Sequence, residues 1–318
     1  MGVVVLGMHR SGTSVAAQVI SRLGVPVGRG QLLPASDSSP DGYWENWDLL
    51  KINDDLLSAF GGSWAGPPVM EEGWEASPRA IRFDARALSC WNRVYPGRHW
   101  MWKDPRNCLT LPYWTRLAGL SGPAVIIYRE PEPVAASLAQ RDRFSVLVGL
   151  ALWERYNRDA LRSVAGWPVL VSSYDSLTTD AVGWAERTQK FLSSHGIPCN
   201  GPESVEHAAS VVRADSTTGQ SVECDKLSES QRHLLRLLGK LEGEHDRLDL
   251  PDLGPPSPLL ELLLSEHGTA YDRELAVAAD LARARSQLTH VVNMTRVKVL
   301  TYRGLKRLRA GTSNRNGS

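Results

Sequence analysis

Between a short apolar run, Gly2 to Leu6, and a segment of helical periodicity, Gly12 to Leu23, stand Gly7-Met8-His9-Arg10-Ser11-Gly12-Thr13-Ser14. A loop bounded by glycines at such a junction turns backbone N–H groups inward, and the helix start adds the positive end of its dipole. The chemistry that fits is the holding of a phosphate-like anion. In a nucleoside-triphosphate loop, GxxxxGK(S/T), a lysine follows the second glycine and reaches the β- and γ-phosphates. Here that position is Thr13, and the cation, Arg10, precedes the glycine. Any anion recognition is local, because 36 basic and 35 acidic residues leave a net charge of +1, without the basic excess of a nucleic-acid binder.

A second anion pattern follows about 120 residues later. The apolar run Ala124 to Tyr128 ends in Arg129, Pro131 suits a helix start, and Ser137 lies eight residues beyond the arginine. The planar guanidinium binds phosphate oxygens two at a time.

The two patterns, in this order, resemble the 5'-phosphosulfate loop and the 3'-phosphate motif of sulfotransferases that use 3'-phosphoadenosine 5'-phosphosulfate (PAPS), of the bacterial carbohydrate and small-molecule type. The likeness runs over roughly residues 2 to 195 and takes in Leu152-Trp153-Glu154-Arg155-Tyr156 and the stretch Val171 to Leu177. It implies transfer of a sulfuryl group to a hydroxyl of a small, carbohydrate-containing acceptor such as a glycolipid or a glycosylated or nucleoside natural product. Adenosine 3',5'-bisphosphate would be the product, and no metal would take part. Arg10, Ser11, Gly12, Thr13, Ser14, Arg129 and Ser137 would bind the donor.

Trp102-Lys103-Asp104-Pro105-Arg106 resembles the Lys-Asp-Pro element of related enzymes, in which Lys103 would stabilise the departing phosphosulfate together with Arg10. Family members with a glutamate base carry it shortly after the first helix, which points to Glu45 in Asp41-Gly42-Tyr43-Trp44-Glu45-Asn46. Flanking aromatics would raise its pKa. His9 and Asp104 are the other candidate bases, and His99, on the strand of Lys103, is expected to point away. Tyr43, Trp44, Trp64, Asp104 and Arg106 would meet the acceptor. Two features depart from the family: Arg10 replaces the usual lysine, and a C-terminal Arg-Lys-Gly segment is not visible, a place that Arg213 is expected to fill.

The elements that would position these residues alternate. Apolar runs at Gly2 to Leu6, His99 to Lys103, Ala124 to Arg129 and Val169 to Ser173 are followed by helical segments at Gly12 to Leu23, Leu109 to Leu117, Pro131 to Arg141 with Val146 to Ala165, and Asp180 to His195. Strands without polar alternation, separated by helices, predict an α/β fold with a doubly wound parallel sheet. The family resemblance makes that architecture P-loop-NTPase-like, with a helical tail.

Glycine and proline interrupt residues 24 to 98, a stretch holding five of the eleven tryptophans. It reads either as an acceptor-site insertion, about 25–98, or as an aromatic mini-core. Residues 201 to 225 read as a loop. The break at Pro251 to Pro258 divides a catalytic domain, 1–250, from a helical extension, 251–318. From Val291 onward that extension holds seven basic residues and no acidic one, a pattern suited to a solvated helix or to peripheral contact with an anionic membrane.

With 318 residues, 42% apolar and 22% charged, the chain is ordinary for a globular protein. Four cysteines far apart suggest neither a zinc site nor a disulfide framework, and fit a reducing, cytoplasmic setting. The N-terminal apolar run is too short for a signal sequence, Leu6 stands where myristoylation needs Ser or Thr, and no stretch approaches the ~20 apolar residues of a membrane span. A homodimer is compatible with this composition. Two other functions compete: a kinase using ATP and magnesium, which the absence of lysine at position 13 disfavours, and a non-catalytic nucleotide fold acting through its basic tail.

Overall fold

Val3, Val4, Val5 and Leu6 are all buried, as a strand covered on both faces requires. They form β1 (Val3–Leu6), the second strand of a five-stranded sheet. The others are β2 (Met101–Lys103), β3 (Ala124–Tyr128), β4 (Val169–Ser173) and β5 (Gly243–His245), in the order β2-β1-β3-β4-β5. β1 to β4 are parallel, with Val4 opposite Trp102 and Ala124, and Ile126 opposite Val171. β5 pairs antiparallel with β4. The sequence reading missed it because Gly243, Glu244 and His245 make no apolar run. The computed structural model describes residues 1–35, 42–199, 204–212, 227–257, 260–274, 276–277, 280–281 and 283.

The helices are α1 (Thr13–Arg22), α2 (Trp47–Ala59), α3 (Pro78–Ile81), α4 (Asp84–Val94), α5 (Asn107–Ala118), α6 (Pro131–Asp142), α7 (Val146–Ser163), α8 (Tyr174–Thr179), α9 (Ala181–Ser194), α10 (Val205–Ala209) and α11 (Glu229–Lys240). Val3, Val5, Val125, Ile127 and Leu170 pack in one buried cluster with Ala16, Val19 and Ile20 of α1 and Trp184 and Phe191 of α9. Each such aliphatic side chain contributes about 1.5–3 kcal/mol by leaving water. Val4, Leu6, Ile126 and Val171 are buried as well, so helices cover both faces and the doubly wound α/β architecture is observed.

The stretch expected to be irregular, 24 to 98, contains three α-helices and a 3-10 turn, Trp74–Ala76, among its described residues. Asn46 caps α2 by accepting from Asp48 N (3.1 Å) and Leu49 N (3.2 Å), and Leu49, Leu50, Ile52, Asn53, Leu56 and Leu57 form its buried face. In α4 the buried residues Ala87, Cys90, Trp91 and Val94 follow the i, i+3, i+4, i+7 spacing. Apart from Pro78 at the first position of α3, glycine and proline there fall in the connections and not in the helices.

Of the five tryptophans of this region, Trp74 and Trp91 are buried in the core. Trp91 packs against Trp100, Trp102 and Trp114 with ring centroids 5.0, 5.2 and 5.6 Å away, behind β2. Residues 205–209, inside the expected loop, form α10. Met1–Gly268 make one compact unit, which takes in the helical residues 260–268 beyond the proline break, and Thr269–Ser318 make a second. Among the described residues no helix is long and apolar enough to cross a membrane, and Cys90, Cys108 and Cys199 are free and buried. The basic stretch 291–318 and Arg213 lie outside the described residues.

Candidate active site

The parallel strands run one way, so the residues after Leu6, Lys103, Tyr128 and Ser173 emerge along one edge of the sheet. The chain visits β2 on one side of β1 and then β3 on the other, and open α/β sheets hold ligands at such a switch point.

The loop after β1 has the backbone that an anion cradle needs. Arg10 and Gly12 take positive φ values of 70° and 92°. A Cβ on Gly7 would come 2.2 Å from the Ile127 carbonyl oxygen, and one on Gly12 would come 2.1 Å from the Tyr174 ring, so the close approach of three strand ends depends on both glycines. Gly12 offers α1 no side-chain cap, which leaves the first N–H groups of that helix directed at the loop. Ser11 Oγ and His9 Nε2 are buried without a hydrogen-bond partner among the described residues. Here they face the loop that the first N–H groups of α1 also face, where a bound anion could supply the missing partner.

The two anion patterns, distant in sequence, meet here. Arg10 Nε donates to Ser137 Oγ at 2.7 Å. The Arg129 backbone is fixed by Trp153, whose Nε1 donates to the Arg129 carbonyl at 2.8 Å, and its guanidinium lies over the Tyr174 ring, 4.5 Å from the centroid. Tyr174 is a site residue that the sequence reading missed. Its position, first after β4 at the carboxyl edge, was the available signal.

Lys103 and Glu45 form a buried ion pair at 2.5 Å, with side chains 1% and 5% exposed. The Lys103 ammonium also donates to Ser14 Oγ (3.1 Å) and to the Tyr43 carbonyl, which engages all three of its protons. Ser14 Oγ donates to that same carbonyl at 3.2 Å, so the segment carrying Glu45 is tied directly to the start of α1. Trp44 holds φ at 66°, an uncommon value for a bulky residue, and this bend turns Glu45 inward. Burial raises the Glu45 pKa, opposed by Lys103, and Glu45 Oε2 has no partner among the described residues. A buried carboxylate with a raised pKa and one open oxygen is suited to accept a proton.

His9 is built differently. Burial, followed by the charges of Arg106, Arg141, Lys103 and Arg10, holds it well below the usual imidazole pKa, so it is a poor proton acceptor. Its ring packs on Trp64 (4.6 Å) and Tyr156 (5.8 Å). Trp64 in turn lies against Phe144 (5.6 Å) and Arg141 (5.6 Å), which leaves little of its face for a sugar.

Asp104 and Arg106 are engaged with each other. Asp104 Oδ1 accepts from Arg106 N (3.0 Å) and Nη1 (3.2 Å), Oδ2 accepts from Asn53 Nδ2 (2.9 Å), and Arg106 Nε donates to Asp54 at 2.5 Å. These bonds occupy the oxygens a base would use, and make Asp104 a weaker candidate than Glu45. Asn53 is the hub of this network. It also donates to Asn107 (3.0 Å) and accepts from Thr110 (2.9 Å) and Trp114 (2.8 Å). Nothing in its sequence neighbourhood announces that role. Among the described residues no three His, Cys, Asp or Glu side chains are grouped to hold a metal ion.

No family model and no curated protein matches the chain. The solved structures similar to it include two sulfotransferase domains. A sulfotransferase domain from the curacin biosynthetic pathway is 13% identical, with 83% of this chain and 96% of that one covered, at a TM-score of 0.39. A sulfotransferase domain from the Synechococcus PCC 7002 olefin synthase is 15% identical, with 84% and 94% covered, at 0.35. Likeness this loose assigns neither fold nor activity, and the functional reading rests on the residues themselves.

Proposed function

We propose that the chain is a sulfotransferase that uses PAPS and acts on a hydroxyl of a small, carbohydrate-containing acceptor. The observation that carries the reading is the hydrogen bond between Arg10 and Ser137, which joins two anion-binding motifs 127 residues apart at one sheet edge. The uncapped start of α1 and the unpartnered Ser11 Oγ fit a bound phosphate group. When bound, the donor supplies an activated sulfuryl group and leaves as adenosine 3',5'-bisphosphate. The loop N–H groups with Arg10, Ser11, Thr13 and Ser14 would hold its 5' end, and Arg129 with Ser137 its 3'-phosphate.

Glu45 Oε2 takes the proton of the acceptor hydroxyl, a role worth about 10²- to 10⁴-fold in rate. Lys103 keeps Glu45 ionised until then through Oε1, and its place beside Ser14 puts a positive charge where negative charge accumulates on the anion. Tyr43 and Trp44, which precede the base in the chain, would offer aromatic surface to the acceptor, Trp44 while also packing against the core cluster.

Calorimetry with adenosine 3',5'-bisphosphate in the absence of metal tests the reading. Uptake is expected, with weaker binding of ATP and magnesium. No uptake by folded protein, or a preference for ATP and magnesium, would overturn it. Labelled PAPS offered with a panel of sugar and phenol hydroxyls then identifies the acceptor.

A further inference from the structure

β5 adds Gly243, Glu244 and His245 to the sheet and no apolar side chain, yet the turn leading into it delivers a carboxylate to the carboxyl edge. Glu242 Oε1 accepts from Ser173 N (3.1 Å), Ser173 Oγ (2.9 Å) and Ser176 Oγ (2.5 Å), and Oε2 accepts from Tyr128 OH (3.2 Å). An ionised carboxylate is acceptor-only, and here every contact is a donor. Partial burial pushes its pKa up, but the hydrogen bonds from Ser176, Ser173 and Tyr128 outweigh that and hold it below the usual range.

The donors belong to two places that matter. Tyr128 immediately precedes Arg129, and Ser173, the cap of α8, immediately precedes Tyr174. The Tyr174 ring supports the Arg129 guanidinium on one side and fills the space that Gly12 leaves open. One carboxylate therefore ties the end of β3 to the end of β4 behind the pair that faces the anion loop.

We infer that Glu242 is a positioning residue for the anion site. It fixes the end of β3 and the first turn of α8 together, so that Tyr174 holds Arg129 ready for the 3'-phosphate. The inference rests on the nucleotide reading given above, and it accounts for the antiparallel edge strand as the means of bringing Glu242 to the site.

The test is a cycle of calorimetric affinities for adenosine 3',5'-bisphosphate in wild type, Glu242→Ala, Glu242→Gln, Arg129→Ala and the double variant Glu242→Ala with Arg129→Ala. Glu242→Ala is expected to weaken binding about tenfold, while Glu242→Gln, which keeps an acceptor for Ser173 and Ser176, stays within about twofold of wild type. In the Arg129→Ala background, Glu242→Ala should add almost nothing, and adenosine 5'-monophosphate, which lacks the 3'-phosphate, should bind wild type and Glu242→Ala alike. In turnover, KM for the donor rises with kcat unchanged. Wild-type affinity in Glu242→Ala, additive losses in the double variant, or a glutamine as harmful as the alanine would each overturn the inference while leaving the nucleotide reading intact. Absence of bisphosphate binding in wild type would overturn both.

Discussion

The loop after β1 and the network around Asn53 are both polar and buried, and they handle that condition in opposite ways. Asn53 engages both amide protons and both lone pairs with Asp104, Asn107, Thr110 and Trp114. Ser11 Oγ, His9 Nε2 and Glu45 Oε2 have no such partners among the described residues, and α1 starts without a side-chain cap. Satisfied polar groups stiffen a core, whereas unsatisfied ones cost stability that a ligand entering the site can restore. The contrast separates residues that shape the site from residues that bind in it, although both sets stand at the carboxyl ends of neighbouring strands.

The strongest way to break this division is to remove the proposed base. Glu45→Gln should lower kcat about 10²- to 10⁴-fold without loss of bisphosphate affinity. Because burial raises the Glu45 pKa and the ionised form is the active one, wild-type activity should fall as pH drops through a value above 4.5, and this acid limb should vanish in the residual activity of the variant. Loss of nucleotide affinity with kcat intact would move Glu45 to the structural side.

Asn53→Ala probes that other side. It strands several buried groups and should cost about 3 kcal/mol, lowering Tm by roughly 6–12 °C. Nucleotide affinity well below Tm should persist. A stable variant that cannot bind would place Asn53 in the site itself.

Gly12→Ala sharpens the comparison. Its φ of 92° and the Tyr174 ring 2.1 Å from a new Cβ should cost about 1–3 kcal/mol and lower bisphosphate affinity about tenfold or more. An unchanged binding isotherm would show that the cradle is not where the anion sits.

The smallest effect concerns His9. The fold keeps it neutral, while the unfolded chain takes up a proton below about pH 6.5, so stability is lost as pH falls, with a slope approaching ~1.4 kcal/mol per unit. In His9→Gln, urea midpoints measured at pH 6.5 and 5.5 should differ less than in wild type. An equal drop in both would mean that His9 titrates normally.

What the sequence disclosed follows the reach of local chain geometry. Gly7 to Ser14, Arg129 and Ser137 were legible because a strand, a turn and a helix start dictate where such residues point, and Lys103 because it ends a strand. Asn53, Trp153 and Glu242 were not, since their importance lies in partners 24 to 69 residues or more away and their types are ordinary. The tryptophans follow the mini-core alternative in part: Trp91 packs with Trp100, Trp102 and Trp114 behind β2, whereas Trp64, expected to meet the acceptor, is backed by His9 and Phe144. Helices α2 and α4 were obscured because the glycines and prolines between them dominated the pattern of the whole stretch.

The attachment of Lys103 to Glu45, Ser14 and the Tyr43 carbonyl has an energetic corollary. An incoming anion that draws the ammonium toward the start of α1 weakens the charge that keeps hydrogen off the carboxylate. Nucleotide and hydrogen ion then bind with positive linkage, each raising the other's affinity by the same factor. At acidic pH, where the carboxylate begins to protonate, the heat of nucleotide binding should accordingly vary with the ionisation enthalpy of the buffer, as a direct count of hydrogen ions absorbed by the pocket, whereas at higher pH Glu45 stays ionised and ready to act.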